Sequence, residues 1–584
     1  MNNAIIHHIS NILQLEYDIT LENIQLTPPP KADMWDICFA CFPLSKVLRK
    51  SPSVIAQELS DILESEKYSI GEIQKTQVDG WYLNIFLDTN VFAGWLEDFL
   101  SKDIYSDIKS KNEEVIYIDY IWANVWKPLH IGHMCTPVQW QTIINLFRKR
   151  GYKVIADSHI GDWGIIFWKL ITGFLKYWSE EKLEENAVEH LFQIYVQISN
   201  DAESDTQLDQ EFRNTFKKLS SWDDEMKQIW EKFTKKSIQA MDVLLTKLQV
   251  FPDYNIGESF YEWLWLAKME DYPDLKFPMH SIVEELVSLW IATQNEDWSV
   301  WVIFPEESKL PSCILQKRDG THGYLASDLA SIKYRMDNWN PKKIIYFVDV
   351  RQKLHFEQVF FISKMASWVN ENTEMTHAYN GFIALKDWAM STRKGKIIKL
   401  EALLWEGENR AAKIISQKRP DMDLQKLKEL SQTVSIGAIK YGYLKKTRES
   451  DSIFDWDEYM SFEWNSGPYI QYAYVRAQKI LTANSDKIHF SNLLFENACE
   501  HQLVSHILKF QDIIQEVSKS YHPHKLCNYV YEWTKLFSSV YANVQILSET
   551  DMKLRNSRLA LLTAFCQVIE EIFDILWISL PSEM

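Results

Sequence analysis

Apolar and polar positions alternate with different periods along this chain, and the period changes mark its parts. Ile5 to Leu15 carries helical spacing, as does Leu44 to Leu63, where Ser51 or Ser53 is placed to cap. Val78 to Leu87 alternates as a strand does. Val115-Ile116-Tyr117-Ile118 is an apolar run that ends at a turn carrying Lys127-Pro128-Leu129 and His130-Ile131-Gly132-His133. Helical spacing follows to about Arg150, and Lys153-Val154-Ile155-Ala156 reads as a second buried strand. Strand, turn, helix and strand in that order predict half of a nucleotide-binding α/β unit, with an anion-ready helix N-terminus at its centre.

Beyond this unit, residues from about 174 to 260 are helical and charge-rich, a helical insertion in a sheet domain. Strand-like text returns at 299–304 and across 313–335. Lys343 to Val348 is a nearly all-apolar parallel strand, followed by a helix beginning near His355. From about residue 400 onward the pattern is helical with no strand signal. The predicted divisions are a small N-terminal domain over 1–113 and an α/β domain over 114–400. A helical connector over 401–455 and an all-α domain over 456–584 complete the chain.

Composition narrows the class. With 24% charged and 46% hydrophobic residues the chain is globular, and no apolar run approaches the ~18 residues of a membrane span. A net charge of −18 argues against broad adhesion to nucleic acid but leaves room for a local basic groove. Seven scattered cysteines fit a reducing cytoplasm. The single CxxC, Cys38 and Cys41, is weak evidence for a metal, and no structural metal is expected.

Candidate chemistry lies in two separated stretches. His130 and His133 at a helix start could hold phosphate, or simply be a polar helix start. The Gly/Lys loop Met390-Ser391-Thr392-Arg393-Lys394-Gly395 changes the balance, because a cationic loop and two imidazoles can grip a triphosphate from both sides. Neither a Walker A loop nor a GxGxxG fingerprint is present. Tyr469, Tyr472 and Arg476 fall on one helical face, suited either to core packing or to stacking on unpaired RNA bases.

With these residues in hand, the chain resembles the arginyl-tRNA synthetases, a family of class I aminoacyl-tRNA synthetases. The motifs are Asn124 ahead of HIGH, GDWG at 161–164, GESFY at 257–261, DGTHGYLASD at 319–328, DVRQKLHFEQ at 349–358 and FDWD at 454–457. SGPYIQYAYVRA, which contains Arg476, completes the series, which spans essentially the whole chain. The resemblance implies a multidomain α/β fold. Its parts are a Rossmann-like catalytic domain with a helical insertion, an α+β N-terminal domain that binds the tRNA elbow and an all-α anticodon-binding domain. It implies ATP-dependent activation of L-arginine, with Mg²⁺ accompanying the nucleotide, and transfer to tRNA(Arg) by a cytoplasmic enzyme without membrane attachment, expected to be a monomer.

The implied roles fall on matching positions. Asp119, Asn124, His130, Tyr324, Asp328 and Gln352 hold arginine. His130, Gly132, His133, Met390, Ser391, Thr392 and Lys394 bind ATP. His130, His133, Lys127, Ser391, Arg393 and Lys394 serve catalysis. Tyr469, Tyr472, Arg476 and the terminal Met584 meet the anticodon. One position departs: the family's loop begins with Lys where this chain has Ala389, and Lys127 is placed to supply the missing charge. A class I synthetase for another amino acid and a non-catalytic tRNA-binding paralogue are the alternatives.

One count is abnormal. Average glycine usage, roughly 7%, would put about 41 in this length. The chain has 17 Gly and 24 Trp, together 41. Trp140, Trp168, Trp298, Trp301, Trp388, Trp464 and Trp577 stand where the resemblance places glycine, with Trp126 a further candidate, whereas Trp163 and Trp456 match family tryptophans. The expectation is a bacterial gene from a lineage that reads UGA as glycine.

Overall fold

The computed structural model describes the chain except residues 1–2, 21–25, 28–34, 66, 69, 112, 121–123, 125, 164, 206, 221–222, 263–271 and 386–398. Its centre is a four-stranded parallel sheet built from β1 (Val115–Tyr120), β2 (Lys153–Ser158), β3 (Lys343–Tyr346) and β4 (Glu374–His377), in the order β4-β3-β1-β2. Ile116, Tyr117, Ile118, Ile344 and Ile345 are all buried, because a parallel sheet is covered on both faces. Helix α1 (Ile131–Lys149) joins β1 to β2, α2 (Tyr324–Trp339) leads into β3, and α3 (Lys353–Met365) joins β3 to β4. The carboxyl ends of β1 and β3 therefore open onto the first turns of α1 and α3, where ligands bind in open α/β sheets.

The N-terminal part is α+β. A four-stranded antiparallel sheet packs with helices Asn3–Tyr17, Pro52–Glu64 and Thr89–Ser101. Ser51, not Ser53, caps the second helix, accepting the Val54 N–H. The alternation from Val78 to Leu87 proves to be two strands, because Asp79-Gly80 turns the chain with Gly80 at φ 59° and Tyr82–Leu87 returns alongside Ile73–Asp79.

Two further expectations need correction. Only Cys313–Gln316 of the 313–335 stretch is a strand. Asp319-Gly320 turns the chain there, and the Tyr324–Trp339 stretch has helical spacing, so its apolar residues face one way only as a helix. The region after 400 also contains a strand, Ser452–Phe454, parallel to Ile383–Leu385. Three residues are too few to register as a period.

Four helices between Ile165 and Lys247 form the insertion. In the C-terminal part, α4 (Leu424–Leu444) and α5 (Gly467–Ala483) pack beside α6 (Met552–Leu576), which is apolar nearly all round and correspondingly buried. The end of α6 is tied to the catalytic sheet layer: Asn145 of α1 donates to the Ile575 carbonyl (3.2 Å). Lys440 of α4 donates to the carbonyls of Leu248 (2.9 Å) and Trp577 (2.5 Å), satisfying the last turns of two helices. Burial lowers the Lys440 ammonium to about 7.

Candidate active site

The turn after β1 is organised by its own imidazoles. His130 caps α1: the Gly132 N–H donates to His130 Nδ1 (3.1 Å), and the His130 N–H donates to His133 Nδ1 (3.1 Å). Two of the helix's orphan donors are satisfied in this way. Because each Nδ1 accepts, Nε2 of each ring carries the proton and remains a donor. The rings lie 3.9 Å apart. Burial, aided by Lys127, lowers His130 to about 4. Burial, with His130 and Lys127 adding to it, lowers His133 to about 3, so both are neutral donors at neutral pH. A β-carbon on Gly132 would stand 2.9 Å from His130 Cε1, so glycine is needed for this cap.

His130, Gly132 and His133 line a cavity of about 330 Å³ together with Asp349, Gln352 and Asn380. Lys399 forms a backbone bridge with His130, and Ile383 lines the same cavity, so the chain on both sides of 386–398 is tethered here. Met390, Ser391, Thr392, Arg393 and Lys394 lie outside the described residues, as do Trp388 and Ala389. Lys127 faces a neighbouring cleft with Glu184, Glu189 and Lys399, its ammonium 4.8 Å from the Trp126 ring. Asn124 pairs by backbone with Gly161, where a β-carbon would press within 2.9 Å of the Asn124 amide oxygen.

A second, larger cavity of about 820 Å³ opens on the other side of α3's first turn, lined by Glu258, Glu262, His322, Tyr324 and His355 among others. Gln352 serves the first cavity and His355 the second. Tyr324 and Asp328 are one turn apart on α2, hence on one face. Asp328 is buried: one carboxylate oxygen pairs with His355 Nε2 (2.6 Å), and the other has no hydrogen-bond partner among the described residues. Glu258 is also buried, and burial reinforced by Asp162 and Asp328 raises its carboxyl well above the usual range. An entering cation would reverse that shift.

Asp119 sits differently from the other acids. It is fully buried and takes the Arg335 guanidinium at 2.5 Å, which also reaches Asp157 at 3.2 Å. Tyr117 Oη and the Ile256 N–H donate to Asp157 as well. Asp119, Asp157 and His159 are close enough to hold a metal ion, but Arg335 already supplies the positive charge there. Asp119 does not line the larger cavity.

The structure thus brings His130, Gly132, His133 and Gln352 into one cavity, and places Tyr324, with Asp328 behind it, at another. Sequence reasoning passed over Arg335, Glu258 and His355. Glu258 lies in GESFY and His355 in DVRQKLHFEQ, whereas Arg335 carries no local signal. Asp162, of GDWG, accepts from the Ser259 N–H (2.9 Å) and hydroxyl (2.5 Å), which fixes the segment that carries Glu258.

On α5, Tyr472 is exposed and the Arg476 guanidinium lies 5.6 Å from its ring and 3.7 Å from that of Tyr541. Tyr469 is partly buried against the core. Met584 packs on a small cluster of Ala411, Ile415, Leu430 and Val434.

Comparisons with known proteins agree with this architecture. The family described as tRNA synthetases class I (R), catalytic domain, matches residues 96–456. The Arginyl tRNA synthetase N terminal domain matches 1–87, and the DALR anticodon binding domain matches 470–584. An arginine–tRNA ligase from Clostridium botulinum is 32% identical over 588 residues, covering 99% of each chain. One from Clostridium perfringens is 34% identical over 581 residues, covering 97% of each. Among solved structures, the arginyl-tRNA synthetase of Plasmodium falciparum shares the fold with a TM-score of 0.80 at 22% identity, covering 100% of this chain and 98% of that one. That of Thermus thermophilus does so with a TM-score of 0.78 at 20% identity and full coverage of both. Fold, domain order and sequence together show that the chain belongs to the arginyl-tRNA synthetase family of class I synthetases.

Proposed function

We propose that the chain is an arginine–tRNA ligase that works as a cytoplasmic monomer. It activates L-arginine with ATP and transfers it to the 3′-terminal adenosine of tRNA(Arg). The observation that carries the reading is the pair of cavities lined from one short segment, Gln352 in one and His355 in the other, the first with neutral N–H donors at a helix N-terminus and the second backed by buried acids.

In this reading the guanidinium of arginine enters the larger cavity toward Asp328, Glu258 and Tyr324, because a planar cation needs carboxylate acceptors. Asn124, His130 and Gln352 hold the carboxylate end. Asp119 acts through Arg335, whose charge it orients beside the sheet end. ATP lies with its phosphates at the N-terminus of α1, against Gly132, where His130 Nε2 and His133 Nε2 donate. The arginine carboxylate attacks the α-phosphate and pyrophosphate departs. Mg²⁺ accompanying the nucleotide would shield phosphate charge. Ser391, Arg393 and Lys394, with Met390 and Thr392, contact the phosphates that leave as pyrophosphate. The terminal ribose hydroxyl of the tRNA then attacks the adenylate carbonyl. Positioning and preorganised donors carry most of the rate.

Tyr472 and Arg476, with Tyr469 and Met584 nearby, receive the anticodon loop. Lys127 offsets the missing loop lysine at Ala389. Pyrophosphate exchange into ATP tests the reading: it should require both arginine and tRNA, and exchange driven by another amino acid would refute it. An exchange rate left unchanged by Lys127→Ala would remove Lys127 from the scheme.

A further inference from the structure

Two populations of tryptophan are present. Trp230 and Trp533 are buried in helices, and each indole N–H has an acceptor, the Asp162 carbonyl (2.9 Å) and the Phe565 carbonyl (3.2 Å). Others sit where an indole has no business. Eleven non-glycine residues have positive φ among the described residues, and three of them are Trp: Trp290 (61°), Trp298 (68°) and Trp577 (54°). Tryptophan makes up only 24 of 584 residues, so three of eleven is a marked excess. A β-carbon crowds the following carbonyl in this left-handed region, which is why glycine takes it.

The molecule contains its own controls. In the hairpin at 317–321, the Lys317 N–H donates to Thr321 O (2.9 Å) and the Gly320 N–H to Lys317 O (3.0 Å), with Gly320 at φ 82°. The Asp319 carboxylate accepts the Thr321 N–H and hydroxyl. The hairpin at 295–299 repeats every bond: Asn295 N–H to Ser299 O (2.9 Å), Trp298 N–H to Asn295 O (3.1 Å), and Asp297 to the Ser299 N–H and hydroxyl. Trp298 occupies the position of Gly320.

The helix ends repeat the lesson. After α1, the Tyr152 N–H donates to Phe147 O (3.1 Å) across Gly151 at φ 78°. The same closure occurs across Trp290, where the Ile291 N–H meets Leu286 O (3.0 Å), and across Trp577, where the Ile578 N–H meets Phe573 O (2.8 Å). Glycine is the usual residue at this position. Gln249 and Ser367 close helices in the same way, so a side chain is tolerated there, and the hairpin twin carries more weight.

Packing supplies an independent argument at Trp140. Its ring centroid is 3.0 Å from that of Phe347, at 71°, where aromatic pairs rest roughly 4.5–7 Å apart. Trp140 is fully buried between α1 and the sheet, and its indole N–H has no acceptor among the described residues. This is the close helix-to-strand contact for which nucleotide-binding folds use glycine. Trp301, by contrast, lies in an extended strand and donates to Ser299 (3.2 Å), so its backbone makes no such demand.

We propose that Trp140, Trp290, Trp298 and Trp577 are glycines in the chain its source cell makes, their common codon UGA being read there as glycine, while Trp230 and Trp533 are true tryptophans. The test is peptide mass spectrometry on the protein purified from those cells. Glycine is expected at the four positions and tryptophan at 230 and 533; tryptophan at any of the four overturns the assignment. A second measurement needs no source cell. The full chain carrying Trp290→Gly, Trp298→Gly and Trp577→Gly should melt several degrees above the chain with tryptophan, while Trp533→Gly should melt below it. An unchanged or lowered Tm in the triple variant would refute the claim that these backbones are glycine's.

Discussion

The two cavities flanking α3 solve opposite electrostatic problems with opposite materials. The smaller is made of neutral donors: two imidazoles held unprotonated by burial, at a helix N-terminus. The larger is backed by acids: burial raises the Glu258 carboxyl well above the usual range, and one Asp328 oxygen has no hydrogen-bond partner among the described residues. The smaller cavity offers N–H groups whose strength does not depend on a titrating charge, and the larger one offers buried carboxyls as acceptors for a cation. The difference teaches that one fold can set a donor-lined and an acid-lined cavity side by side without the two neutralising each other.

Removing a charge from the acid side should do the most damage. Arg335→Met leaves Asp119 and Asp157 buried without their cation and should cost about 3–5 kcal/mol of stability, read from denaturant unfolding. Asp328→Ala should weaken arginine recognition by about 2–5 kcal/mol, seen as a raised KM for arginine with the KM for ATP little changed. On the donor side, His130→Ala or His133→Ala should lower kcat of pyrophosphate exchange by roughly 10²–10³-fold, the usual loss for one preorganised donor. If both sides answered to the same substrate, the contrast between the cavities would fail.

Acid sharpens the contrast. An unfolded imidazole titrates near 6.5, whereas His130 and His133 titrate near 4 and 3 when folded. The unfolded state therefore binds more protons between these values, and their contribution to stability is lost as pH falls from about 6.5 towards 4. A Tm that fell on acidification in the native chain, but less steeply in a His133→Gln variant, would bear this out. The smallest effect belongs to a surface outside both cavities. Tyr472→Ala should weaken tRNA binding by about 1–3 kcal/mol, the worth of one stacked base, without changing arginine affinity.

Much of this arrangement could be read along the chain. The β1–α1–β2 unit follows from a buried apolar run, a proline-marked turn and helical spacing, all local signals. HIGH also places both imidazoles at the start of α1, whereas their reciprocal capping bonds are seen only in the structure. The resemblance assigns Asp119 to arginine, whereas its buried partner Arg335 lies 216 residues downstream on α2, which no local pattern indicates. The cap-to-cavity split between Gln352 and His355 likewise depends on where α3 starts against the sheet. Short strands such as Ser452–Phe454 exist only because Ile383–Leu385 lies beside them. The glycine-like sites were partly visible as an excess of tryptophan, but Trp290 emerged only from its backbone angle.

The central claim is that acids in the larger cavity select arginine for attachment to tRNA. Charging of tRNA(Arg) by the purified full-length chain, with labelled arginine and labelled lysine in parallel, tests it most directly. Arginine should be attached in an ATP-dependent manner and lysine should not. Attachment of lysine in place of arginine, or of neither, would contradict it.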